Sequence, residues 1–212
     1  NFYNYSYQDL KKITPDQAIT HPKWNMGSKV TVDSSTLMNK GLEIIEACIL
    51  FNIDVNLIDA LIHPESIVHG LIEFNDASTH AFLSQPTMEI SISSILFEDN
   101  NVELNKFHLN LSEIKTLNFY EIDEKKFNSI NLAKQSLGYG GLAPSVLNYT
   151  NELMVALFMQ KKILFTDIVV NNKKFLEQFI VDGNNKIDFN IEDIKWSFAI
   201  VDEYAQKYQL NN

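Results

Sequence analysis

The chain has a single cysteine, Cys48, which excludes an intrachain disulfide and fits a reducing compartment. No apolar run approaches the roughly 18 residues needed to cross a bilayer as a helix. The opening NFYNYSYQDLKK has no apolar stretch of signal-peptide type, and it has no initiator methionine. A chain that starts this way reads as a processed or partial form of a longer polypeptide. Basic residues are scarce: 17 Lys+Arg face 27 Asp+Glu, a formal net charge of -10. That balance argues against a coat for nucleic acid or an anionic membrane. What is present is a globular composition, 45% hydrophobic and 11% aromatic over 212 residues, enough for a sizeable core.

Against the acidic background, residues 21–40 carry three lysines and one histidine with a single acid, Asp33. An anion would be received there. Thr14 before Pro15 reads as an N-cap followed by a first-turn proline, so a short helix is expected over 15–18. Lys29 to Asp33 alternates around Val30 and Val32 and reads as a short strand. Ser34, Ser35 and Thr36 then offer caps for a helix running to about Asn52. Further strands are expected over 57–63, 66–74 and 78–84, the last two joined by a turn at Asn75-Asp76. MEISISSILF after Pro86 fits a strand or a helix on periodicity. The segment 102–127 reads as an irregular connection with one short strand at 114–119, and 143–160, 166–180 and 191–208 read as amphipathic helices of a small bundle.

The fold class expected is α+β: a mixed sheet flanked by helices, then a small C-terminal helical bundle. The expected divisions are a catalytic domain over 1–100 with a lid loop at 21–28, a connecting segment over 101–140, and a helical domain over 141–212.

On a wheel of about 100° per residue, Thr36, Asn39, Lys40 and Glu43 share an arc of roughly 100°. The next positions on that arc are Ala47 and Leu50, so the polarity is confined to the first two turns. A helix start already favours an anion through its free N–H groups and dipole. Ser34, Asn39 and Lys40 add a hydroxyl, an amide and a point charge, and Glu43 adds a hard oxygen suited to Mg²⁺ or Mn²⁺. Each residue alone also has an ordinary structural explanation, as a cap, a solvated lysine or a buried polar group. Spacing names neither substrate nor reaction.

The residues themselves carry a resemblance. HPKWNMGSK at 21–29 and VDSSTLMNKGLE at 32–43 resemble the hallmark run of the 1-deoxy-D-xylulose 5-phosphate reductoisomerase family. The likeness continues in HPESIVH at 63–69, PTM at 86–88, NYTNE at 148–152 and FTDI at 165–168. It implies conversion of 1-deoxy-D-xylulose 5-phosphate to 2-C-methyl-D-erythritol 4-phosphate with NADPH and a divalent metal, in non-mevalonate isoprenoid biosynthesis. It also implies a helix for MEISISSILF, a homodimer and a cytoplasmic setting, or a plastid-type organelle where a transit segment has been removed.

Carried over by residue, the resemblance gives Ser34, Asn39, Lys40 and His21 to the substrate phosphate and its neighbouring oxygens, and Glu43 to the metal. Trp24 would cover the substrate from the lid, and Met26, Gly27 and Met88 would line the nicotinamide side. Catalysis would fall to Glu43, Lys40 and His21. The family's N-terminal NADPH-binding domain and the Asp-Ser-Glu segment with the other metal ligands have no counterpart in these residues, so the chain alone is expected to be inactive. Glu65, Thr87 and Glu89 stand where the family has Gln, Asp and a basic residue. Phe97-Glu98-Asp99-Asn100 replaces a Trp-Pro-x-Arg run, and Tyr149-Thr150 replaces two small residues. His63 and His69 read as structural hydrogen-bonding residues. The competing reading is a truncated or degenerate homologue that binds phosphorylated ligands and dimerises without turnover; the upstream coding sequence would separate the two.

Overall fold

A computed structural model describes residues 2–20, 26–97 and 107–208. Its elements are α1 (Tyr7–Leu10), α2 (Pro15–Ala18), α3 (Ser28–Ser35), α4 (Met38–Phe51), β1 (Val68–Glu73), β2 (Thr79–Leu83), α5 (Met88–Leu96), α6 (Leu111–Ile114), α7 (Ser129–Tyr139), α8 (Ala143–Met159), α9 (Phe165–Val181) and α10 (Ile191–Lys207). The structure is helix-rich with a two-stranded sheet among the described residues. Two compact units form, one from 1–60 with 123–212 and one from 61–122. Contacts place α4 with α7 and α8 in the first unit, whereas composition alone draws boundaries at 100 and 140.

The first unit is built on periodicity. In α9 the positions Ile168, Asn172, Phe175, Leu176 and Phe179 recur at spacings of three and four and are all buried. Against them lie Met154, Leu157 and Phe158 of α8. Met38 and Ile45 of α4 join Leu132 and Ala133 of α7 and Leu147 of α8 in one apolar cluster. Helix α4 can lie this close to α7 because Gly41 faces it: a Cβ there would stand 3.1 Å from Ala133 Cβ and 3.2 Å from Ser129 O. The turn into α8 also requires glycine. Gly141 has φ +55°, and Lys186 O would lie 2.2 Å from an added Cβ.

Helices 15–18 and 143–160, 166–180 and 191–208 appear within a residue or so of expectation. Thr14 and Gln17 form a reciprocal capping box, with Gln17 Oε1 accepting from Thr14 N at 2.9 Å. The hairpin is antiparallel, pairing Leu71 with Ala81 and Ile72 with His80, with an irregularity between Val68 and Gly70. Thr87, where the family has Asp, still caps α5 by accepting from Glu89 N.

Three expected strands are corrected. Residues 29–33 belong to α3, because their hydroxyl neighbours satisfy helical carbonyls: Thr31 Oγ1 donates to Gly27 O at 3.0 Å and Ser35 Oγ to Thr31 O at 2.9 Å. Two valines at alternate positions in a five-residue stretch are too short a sample to decide a period. The single helix expected from Ser34–Thr36 to Asn52 is instead α3 and α4, broken at Leu37, which takes the left-handed conformation (φ +62°). Over 57–63 there is a 3₁₀ turn at Val55–Leu57 and a lone bridge from Ile62 to Tyr120. Over 114–119 the helical turn α6, capped by Asn110, ends at Lys115 with φ +63°. The bridge's partner, Tyr120, lies just past 114–119, so neither segment forms the expected strand.

Candidate functional site

The break at Leu37 exposes the start of α4. Leu37 offers no side-chain cap. Met38 N reaches Thr36 Oγ1 at 3.4 Å, which leaves the next N–H groups of the first turn to solvent or a ligand. On the face that follows, Asn39 Nδ2 donates to Glu43 Oε1 at 2.7 Å and Lys40 Nζ to Glu43 Oε2 at 2.5 Å. Lys40 and Glu43 remain about half exposed. An exposed ion pair of this kind contributes about 0–1 kcal/mol, so a stronger ligand can redirect either partner. A carboxylate has roughly four lone-pair sites and an ammonium three donors, leaving capacity on both for an incoming anion or cation.

Thr36, the fourth residue of the expected arc, does not belong to it. It terminates α3, is buried, and is held from both sides: its Oγ1 donates to Asp33 O at 3.2 Å, and its carbonyl accepts from Ser129 Oγ at 2.7 Å. Ser34 stands in the last turn of α3, half-buried, donating to Val30 O at 2.9 Å. The chain holds no arginine, so any anion here is met by lysine point charges and amides, without a guanidinium fork.

The remaining expected residues are dispersed. His21 and Trp24 lie outside the described residues, as does the greater part of the expected 21–28 loop. Met26 is half-buried and Gly27, the residue before α3, is exposed. Met88 opens α5 in the other unit and is exposed. Among the described residues no group of three or more His, Cys, Asp or Glu could hold a metal ion. Glu43 is a single carboxylate at this face, each oxygen accepting one hydrogen bond.

Inside the first unit runs a polar chain that spacing does not reveal. Asp33, with its side chain 2% exposed, receives Lys29 Nζ on Oδ2 at 3.0 Å and Asn151 Nδ2 on Oδ1 at 2.7 Å. Asn151 in turn accepts from Asn172 Nδ2 at 3.0 Å, and both asparagines are fully buried. The only local signal was Asn172, a polar residue between Ile168 and Phe175 on an apolar stripe. Thr150 and Asn172 each retain a buried oxygen with no hydrogen-bond partner.

In the second unit, His63 Nδ1 lies 2.8 Å from Asn118 O, its ring stacked on Phe119. His69 Nε2 lies 3.2 Å from Ser84 O. Glu65, replacing the family's Gln, accepts from Asn118 Nδ2 at 2.6 Å and from Asn118 N at 3.1 Å. Those bonds to the charged form hold its carboxyl below the ordinary value. Tyr149, replacing a small residue, stacks on Phe198 at 4.2 Å and donates to Asp202.

An amide, an ammonium and a carboxylate thus meet at one helix start that has no side-chain cap. Comparison with known proteins gives the family. Residues 1–51 match the family described as 1-deoxy-D-xylulose 5-phosphate reductoisomerase C-terminal domain, and residues 83–201 match the DXP reductoisomerase C-terminal domain. The 1-deoxy-D-xylulose 5-phosphate reductoisomerase of Persephonella marina is 43% identical over 90% of this chain and 54% of its own length. A crystal structure of DOX-P reductoisomerase in complex with NADPH, fosmidomycin and magnesium superposes with a TM-score of 0.89 at 33% identity, over 97% of this chain and 52% of that one. The Zymomonas mobilis enzyme in complex with NADPH gives 0.84 at 30% identity, over 100% and 53%. The chain belongs to the DXP reductoisomerase family and matches its C-terminal domains. It spans about half the length of the curated relatives it matches.

Proposed function

We propose that this chain is the substrate- and metal-binding portion of a 1-deoxy-D-xylulose 5-phosphate reductoisomerase, which forms 2-C-methyl-D-erythritol 4-phosphate using NADPH and Mg²⁺ or Mn²⁺. The observation that carries the reading is the convergence of Asn39 and Lys40 on Glu43 at the start of α4, in a chain of this family. Lys40, Asn39 and Ser34 bind the substrate phosphate; His21 and Trp24 join them on the resemblance alone. Glu43 would give one hard oxygen to a divalent cation, which when bound would polarise substrate oxygens while a bound nicotinamide would supply hydride. Met26, Gly27 and Met88 are assigned to the nicotinamide side. The NADPH-binding half is supplied by a segment outside these 212 residues, the working form is a homodimer, and the setting is a reducing one, the cytoplasm or a plastid-type organelle. Support comes from relatives about twice this length and from family structures solved with NADPH, fosmidomycin and magnesium.

In the whole protein, Glu43→Gln should lower turnover more than about a hundredfold with the fold intact, because the amide keeps the shape and loses the charge that meets the cation. Near-normal turnover with unchanged metal dependence would reject the assignment. The 212-residue chain alone should consume no NADPH above a no-substrate control.

A further inference from the structure

Asp33 is the only carboxylate among the buried polar side chains of the described residues. Burying a charge is costly unless it is paired and hydrogen-bonded, and apolar packing of equal volume is often at least as stable. Asp33 has two direct partners, one of them held in turn by a third residue. Lys29 reaches it from the first turn of α3, Asn151 from α8, and Asn172 of α9 locks Asn151. Helix α3 needs such a tie. It is eight residues long, begins at Gly27 without a side-chain cap, and is made largely of Ser, Thr and Val, which are weak helix formers. It also carries Ser34 in its last turn.

We propose that Asp33 is a positioning residue for the anion site. Its carboxylate, fixed by Asn151, which Asn172 holds in turn, keeps the Lys29 ammonium across the first turn and so sets where α3 presents Ser34 to a phosphorylated ligand. The proposal rests on the phosphate-site reading above. It makes two parts of Asp33 separable. One oxygen joins α3 to α8 by a hydrogen bond that an amide could also make, whereas the charge on the other tethers Lys29.

The exchange Asp33→Asn with Asn151→Asp tests this in the whole protein. After the exchange, the carboxylate on α8 can accept from the new amide on α3 and from Asn172. The buried hydrogen bonds and one buried charge are thereby retained while the charge leaves Lys29. Fosmidomycin affinity and thermal stability are measured for the wild type, Asp33→Asn, the exchange and Lys29→Met. Asp33→Asn should lower both. The exchange should recover most of the thermal stability yet stay roughly tenfold weaker in affinity, matching Lys29→Met, and KM should rise more than kcat falls. Exchange-rescued affinity, or wild-type affinity in Lys29→Met, would overturn the positioning role and leave the function standing. A wild type that neither binds fosmidomycin nor turns over substrate would overturn the function reading itself, before any variant is compared.

Discussion

The two units differ in how they treat their apolar residues. In the first, Phe158, Phe175 and Phe179 are buried and Tyr204 closes over Phe175 edge-on at 5.9 Å. In the second, both strands of the hairpin expose apolar side chains, Leu71 and Ile72 on β1 and Phe82 and Leu83 on β2, and α5 exposes Met88, Ile92, Ile95 and Leu96. A two-stranded ribbon without a packed face is marginal in water. The first unit thus buries an aromatic core even though Ile49, Leu50 and Phe51 at the end of α4 stay exposed, whereas in the second the hairpin and α5 leave most of their large apolar side chains exposed. The difference also fits where the candidate site is found. Precise geometry is best carried by rigid elements, and Asn39, Lys40 and Glu43 stand on a helix packed into the first unit's core.

The sharpest way to break this contrast is a matched pair of truncations, followed by denaturant unfolding of the chain. Phe175→Ala should cost about 3–5 kcal/mol, as expected for a fully buried ring. Phe82→Ala, at a ring 59% exposed, should cost less than about 1 kcal/mol. Equal losses would mean that the hairpin contributes to a core as α9 does.

Next in size are the anion contacts. If the site rides on a self-supporting body, substitutions on its face should change affinity without changing stability. Lys40→Ala should weaken fosmidomycin binding by the whole protein by about ten- to a hundredfold, the worth of a charge-assisted bond. Ser34→Ala should weaken it only about two- to tenfold. Calorimetric titration with parallel melting curves checks both; a change in melting without a change in affinity would move these residues from the site to the scaffold.

The smallest effect belongs to the second unit. Glu65 has its folded pKa lowered by the Asn118 hydrogen bonds, so its contribution is fully present above the ordinary value of 4.5 and is lost as pH falls through the lowered one. Amide protection in the described part of 61–122, referenced to the intrinsic exchange rate at each pH, should therefore fall in acid, and Glu65→Gln should flatten that dependence. An unchanged acid profile in the variant would show that the Glu65–Asn118 pair does not secure this unit.

Much of the first unit was legible because its signals are local. The Thr14-Pro15 cap fixed the start of α2, and spacings of three and four in 143–160, 166–180 and 191–208 marked the bundle helices. The grouping of Asn39, Lys40 and Glu43 followed from a wheel, since all three fall within five residues of one helix. The second unit was read less well. Its hairpin is legible from the Asn75-Asp76 turn, but the strands expected over 57–63 and 114–119 are replaced by a lone Ile62–Tyr120 bridge and a helical turn.

By itself, then, the sequence determined the helical periodicities, the chemistry of the polar face and the family, since each depends on residues close together in the chain or on their identity alone. Only tertiary structure decided that 28–35 is a helix and that the chain breaks at Leu37. It also decided that Asp33 meets Asn151 across 118 positions. The physical reason is that a five-residue segment of mixed propensity takes the conformation its burial rewards. A buried carboxylate is tolerable only where the bundle brings it a donor, and no local pattern reports that donor's arrival.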